Sequence, residues 1–204
     1  MLSRYLRDPR AVLKNAQDLM RYAEQQALTD HGVKGRFFRG YALTQFGQVE
    51  WGLSEMRNCM DIELRIGTQE DFPVYFEMLA EVAARAGHYD ESLHAIQQAA
   101  PIVEQRGIRY WSAELHRRRG EVLLAKAVTS EIVAEDEFRQ ALAISREQGA
   151  KMLELRALCS LVRLRGRSGV RDSYRDSLRR FVSELPEFQE IPDIEDARAL
   201  LSLP

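Results

Sequence analysis

Apolar residues recur three and four positions apart along nearly the whole chain, the spacing that sets one face of an α-helix. The first stripe, Val12, Leu13, Ala16, Leu19, Met20 and Ala23, predicts a helix from Pro9 to about Ala27. A second stripe through Phe37, Gly40, Tyr41, Leu43 and Phe46 stops at Gly47-Gln48, and Val49, Leu53, Met56 and Met60 resume it. The pattern then repeats: Phe72, Phe76, Leu79, Val82, Ala83 and Ala86, a stop at Gly87-His88, then Leu93, Ile96, Ala99, Ile102 and Val103. Glycines punctuate it at near-constant intervals. LRIG ends at Gly67, EQRG at Gly107 and REQG at Gly149, 40 and 42 residues apart, and Gly47, Gly87 and Gly169 fall midway through their units. Two helices per period of this length describe a helical-hairpin solenoid, whose units bury their apolar faces against their neighbours.

The expected fold class is therefore all-α; with Gly40-Tyr41 and Gly120-Glu121 resembling the Leu-Gly position of the tetratricopeptide pattern and Ala99 and Ala141 its late alanine, the expectation is a right-handed α-α superhelix, a TPR-like solenoid of about four helical hairpins plus capping helices. It forms one repeat domain over 1–204, with a capping helix in 1–30, pairs in 31–67, 68–107, 108–149 and 150–185, and a C-terminal capping helix in 186–204. The third pair carries Trp111, Leu115, Val122 and Leu123, then Phe138, Ala141, Leu142 and Ile144. Its Lys126–Glu131 connection lacks the glycine and reads as the most mobile loop. The fourth starts at Lys151, turns at Gly166 to Gly169 and runs on from Arg171 to about Leu185. Pro186 and Pro192 are read as helix breaks, with Asp193 as the N-cap of a last helix bearing Ala197, Leu200 and Leu201. Pro101 should kink its helix by removing the bond to the Gln97 carbonyl. Small residues recur where paired helices must approach: Gly40, Ala80, Gly120 and Ser160 in the leading helices, Gly52, Ser92, Ala134 and Ser173 in the second.

Composition adds constraints rather than chemistry. The 204 residues are 45% hydrophobic and 29% charged, with net charge −2, which gives no global field to recruit nucleic acid or an anionic membrane. Only Lys14, Lys34, Lys126 and Lys151 among the 29 basic residues are lysines, a bias that fits a GC-rich bacterial source. No apolar run reaches membrane-spanning length and no signal-peptide core follows Met1, so the expectation is a cytoplasmic chain. Cys59 and Cys159 are too few and too far apart for a disulfide or metal framework and sit on apolar stripes, as inert thiols do. His31, His88, His94 and His116 form no metal-binding pair. Gly32, Gly35 and Gly40 surround Lys34 without the Lys-Ser/Thr element of a phosphate loop. Arg163 to Arg180 holds seven arginines, and Glu184 to Asp196 holds six acids; the two runs can neutralise one another, and nucleic acid is not the expected partner. No enzyme activity, cofactor or metal is expected.

The phrases RYWSAELHRRRGEVLL, FRQALAISREQGAKMLELRALCSL and PDIEDARALL resemble the tetratricopeptide-like C-terminal arm of bacterial multidomain signalling proteins. Those proteins join a STAND or AAA-type ATPase to a class III adenylate or guanylate cyclase or a LuxR-type DNA-binding domain. The resemblance spans roughly Val12 to Leu201 and implies an arm that senses or binds a partner while nucleotide chemistry lies in other domains. It also implies a register in which leading helices line a concave groove, here with Lys34, Phe37, Tyr41, Glu77, Glu81, Arg85, Glu114, Arg117 and Glu121. The plainer alternative makes these ordinary solvent-facing helix residues, some paired as Glu81 with Arg85. The partner implied is a protein domain or peptide segment in a signalling or transcription-control assembly. The alternative is a small ligand held by Phe37, Tyr41 and Phe76, regulating a linked ATPase or cyclase.

Overall fold

The computed structural model describes residues 7–66, 71–106, 109–126, 131–166, 173–184 and 191–202, with backbone alone for 104–106. Among them are ten α-helices, a short 3-10 turn and no strand: the fold is all-helical. Gly67, Gly107, Gly169, Pro186 and the connection after Lys126 lie outside the described residues. The chain packs as two compact units, Met1–Ile108 and Arg109–Pro204. No helix among the described residues is long and apolar enough to cross a membrane.

The first unit contains α1 (Pro9–Gln25), α2 (Thr29–Gln45), α3 (Val49–Ile66), α4 (Phe72–Arg85) and α5 (Tyr89–Arg106). Asp8 starts α1 by accepting a bond from the Ala11 amide at 2.9 Å, with Pro9 in the first turn where its missing donor costs nothing. The turns at 47 and 87 share one construction. Gln48 N–H donates to Leu43 O (3.1 Å) and Gly47 N–H to Thr44 O (3.2 Å); His88 donates to Ala83 (2.9 Å) and Gly87 to Ala84 (3.1 Å). Both glycines are left-handed, φ +86° and +83°, a conformation that closes the helix end and costs a Cβ-bearing residue energy. Pro101 lies inside α5, which continues to Arg106.

Small residues bring the paired helices together. A Cβ built on Gly52 would lie 2.4 Å from Thr44 Cγ2 and 2.5 Å from the Gly40 carbonyl oxygen, and one on Gly40 would lie 2.9 Å from the Gly52 carbonyl oxygen. The α2 and α3 backbones touch here, leaving no room for a side chain. In the next pair Ser92 Oγ donates to the Ala80 carbonyl at 2.8 Å across the same crossing. Gly52→Val is expected to force the α2–α3 crossing apart at a cost of about 1–3 kcal/mol, measured by urea unfolding. Phe37, Leu53, Met56, Phe72 and Met78 form this unit's core.

The second unit opens with the 3-10 turn Arg109–Trp111, followed by α6 (Ser112–Lys126), α7 (Glu131–Glu147), α8 (Lys151–Gly166), α9 (Ser173–Ser183) and α10 (Pro192–Ser202). Its α6–α7 crossing is made differently. The Phe138 ring lies on Gly120, where an added Cβ would come within 2.5 Å of it. Gly149 repeats the left-handed exit at φ +64°, leading into α8. That helix is buried nearly all round, and Leu155, Leu158 and Leu161 join Phe138, Leu178 and Ile194 in one core. Two sequence expectations are corrected. Pro192 opens α10, because the first helical position needs no amide donor, and Asp193 lies in its first turn rather than at the cap. Ser173 is exposed and mediates no close approach.

Candidate functional site

In the first unit, the expected groove residues are engaged within the unit. Phe37 is 1% exposed and stacks on Tyr75 with ring centroids 4.4 Å apart. Tyr41 is buried and its hydroxyl donates to Glu81 Oε1 at 3.3 Å. Glu77 is fully buried, although a charged side chain at a non-stripe position was expected to face a groove. Lys34 Nζ lies 3.1 Å from Asp71 Oδ2. Burial opposes the charge on Lys34, but the Asp71 hydrogen bond and charge, aided by Glu63 and Asp30, hold its pKa above the ordinary lysine value. Arg85 donates to Gln45 Oε1 at 2.8 Å and sits 3.8 Å from Glu81; it and Lys34 keep part of their side chains at the surface.

The second unit holds a buried ion cluster. Glu114, 1% exposed, accepts a two-pronged bond from Arg117 (Nε 2.8 Å, Nη2 2.7 Å) and a longer one from Arg156 Nη1 at 3.4 Å. Arg156 also donates through Nε to Asp193 Oδ2 at 2.7 Å, tying α8 to α10. Arg117 reaches Glu121 as well, and Arg118 donates to the other Glu121 oxygen at 2.8 Å. Burial works against the Glu114 charge, yet the Arg117 charge and hydrogen bonds, with Arg156 and Arg118 behind them, hold its carboxyl far below the usual range. Arg117 and Glu114 are thus interior residues, which corrects their placement on an open surface. Arg156, Asp193 and Glu55, the last bonded by both Arg36 and Arg39, were missed by the sequence reading. A signal was present: Glu114 and Glu154 recur 40 residues apart, and both are buried against arginine.

The Glu114 carboxylate, held ionised by its arginines, braces the helices it joins and is poorly suited to passing protons. Burial pushes the Cys59 and Cys159 thiols up to about 11 each, away from the thiolate that nucleophilic chemistry needs. The histidines are dispersed: His31 lies beside Asp30, His88 between Glu50 and Glu91, and His116 on Glu137. Among the described residues, no group of three or more His, Cys, Asp or Glu is placed to hold a metal ion. Arg163 lies 3.9 Å from Asp196 and Arg165 2.6 Å from Glu135, so arginines of the basic run pair within the unit.

No family model matches the chain. Over 140 residues it is 27% identical to an uncharacterized protein of Rhizobium meliloti (strain 1021). The aligned stretch is 69% of this chain and 14% of that protein, so the chain spans a small part of the relative's length.

Proposed function

We propose that this chain is a non-catalytic, tetratricopeptide-like solenoid module that binds a protein partner within a bacterial, cytoplasmic signalling or transcription-control assembly. The single observation that carries the reading is the register of contacts inside each unit. Residues one period apart meet: Tyr41 with Glu81 and Gln45 with Arg85 at a separation of 40, Arg109 with Gln148 at 39, and Glu114 with Arg156 at 42. Arg57 and Glu91 add a two-pronged pair (2.6 and 2.7 Å) between α3 and α5. Helices stacked on their own equivalents one repeat away are the hallmark of quasi-one-dimensional arrays, which present side chains of the leading helices as binding surfaces. A right-handed superhelix of four hairpins with capping helices is the arrangement this register favours.

The burial of Phe37, Tyr41 and Phe76 weighs against the small-ligand alternative and for a protein partner. In the first unit the groove positions that retain surface are Lys34, Glu81 and Arg85, which narrows recognition there to a charged, mixed-sign strip; in the second unit Glu121 retains surface. Crosslinking followed by mass spectrometry, with wild type and a Lys34→Glu, Arg85→Glu double variant of unchanged Tm, tests the reading. Loss of one reproducible protein crosslink at α2 or α4 in the variant is expected. Equal crosslinking of both proteins, or hydrolysis or cyclisation of ATP by the purified chain, overturns it.

A further inference from the structure

Two carboxylates at the same place in the repeat each collect a pair of basic side chains. Glu55 on α3 is buried and accepts from Arg39 through Nε (3.1 Å) and Nη2, and from Arg36 Nε at 3.4 Å. Two periods on, Glu137 on α7 accepts from Arg119 Nη1 at 2.8 Å and lies 2.8 Å from His116 Nδ1. The correspondence is positional. Gly40 and Gly120 are 80 residues apart in the leading helices, Gly52 and Ala134 are 82 apart in the second helices, and the same steps carry Arg36 to His116, Arg39 to Arg119 and Glu55 to Glu137. One turn before each carboxylate, that step pairs Trp51 with Val133, apolar side chains that are 49% and 51% exposed.

The fold does not need these charges. Between the two copies, α4 and α5 place Phe76, Leu79 and Ala95 at the three equivalent positions, all buried, and Glu91, held by Arg57, where Trp51 stands. Packed apolar groups can replace an ion pair of this kind with no loss of stability, so bracing alone does not account for the charged copies. The first copy also carries a fixed surplus: two guanidinium charges meet one carboxylate, whereas the second has a histidine in place of Arg36. Both terminal nitrogens of Arg36 and Nη1 of Arg39 have no acceptor among the described residues. Glu50, next to Trp51, is turned to His88 at 3.6 Å. Arg39 lies over the Trp51 ring, 5.4 Å from its centroid, so unclaimed donors and an exposed indole stand side by side.

We propose that Arg36, Arg39 and Trp51, positioned by Glu55, bind an acidic side chain of a protein partner together with the apolar side chain next to it in that partner. A planar guanidinium takes a carboxylate through paired N–H donors, and the apolar neighbour covers the indole. The second copy favours a peptide over a nucleotide: Val133 in place of Trp51 keeps apolar surface but offers no π-face for a base to stack on. The proposal rests on the reading of the chain as a protein-binding module, yet the two fail separately, because the crosslink at α2 or α4 is tested through Lys34 and Arg85 instead.

The test titrates the full, nitrogen-15-labelled chain with the end-blocked peptide glycine-glutamate-leucine-glutamate-leucine-glycine, followed by NMR. Trp111 is buried, so the exposed indole is that of Trp51. Saturable shifts of the Trp51 indole N–H and of the Arg36 and Arg39 Nε–H are expected, weakening as salt is raised. Arg36→Gln and Trp51→Ala should each weaken binding roughly fivefold or more with Tm unchanged, since Glu55 keeps its two-pronged Arg39 partner in both. Trp51 is half exposed, so its variant keeps the test valid if Arg36→Gln lowers Tm. Absence of saturable shifts, equal binding of the peptide with glutamine for glutamate, or unchanged binding by Trp51→Ala overturns the proposal. Saturation of the same signals by AMP at lower concentration than by the peptide also overturns it, because the occupant would then be a nucleotide.

Discussion

Glu114→Gln is expected to destabilise the protein by about 3–5 kcal/mol in urea unfolding, the largest effect of any single polar substitution. The variant keeps the volume but removes the buried carboxylate that Arg117 and Arg156 share, leaving each arginine with one acidic partner, Glu121 and Asp193 respectively. Removing one partner of a buried pair costs far more than the pair contributes, so the double replacement Glu114→Met, Arg117→Met should be milder than the single one. Glu121→Gln, at a position about a third exposed, should cost under about 1 kcal/mol. The pH profile follows from the same site. The native carboxyl titrates well below its ordinary value of 4.5, so its contribution is present in full above that value. As pH falls below about 4.5 the unfolded chain takes up a proton that the native chain refuses, and stability declines continuously. In Glu114→Gln this part of the acid slope should vanish. An unchanged slope would show that the arginines hold Glu114 less firmly than their geometry implies.

Phe37→Ala is expected to cost about 3–5 kcal/mol, and Phe37→Leu markedly less. The ring is enclosed, stacked on Tyr75 and edge-on to Phe38, and its removal leaves a cavity between α2 and α4 that rigid helices cannot close. A residue lining an open binding surface would behave otherwise, losing partner affinity with little loss of stability. Parallel measurement of unfolding and crosslinking on Phe37→Ala separates the two roles.

Much of the helical layout was legible because its signals are local. Stripe spacing located α2 through α5, and Gly47, Gly87 and Gly149 marked helix exits that do adopt left-handed backbone. The Gly40 and Gly52 pairing was legible too, since only a missing Cβ allows backbones so close. The candidate groove fared differently. Glu77, Glu114 and Arg117 read as solvent-facing because polar residues off a helix's apolar stripe usually are, but packing against further helices buries these side chains too. Asp193 read as an N-cap, whereas Arg156, 37 residues earlier, claims its carboxylate.

The sequence by itself determined an all-helical chain, its period and the places where helices end, because hydrophobic spacing, glycine and proline act within a few residues. Tertiary structure decided which side of each helix faces a neighbour and which charges become interior ion pairs. Those outcomes depend on residues about 40 positions apart meeting in space, as Tyr41 does Glu81 and Glu114 does Arg156, a pairing that local propensity does not encode and that only the packing of the helices brings about.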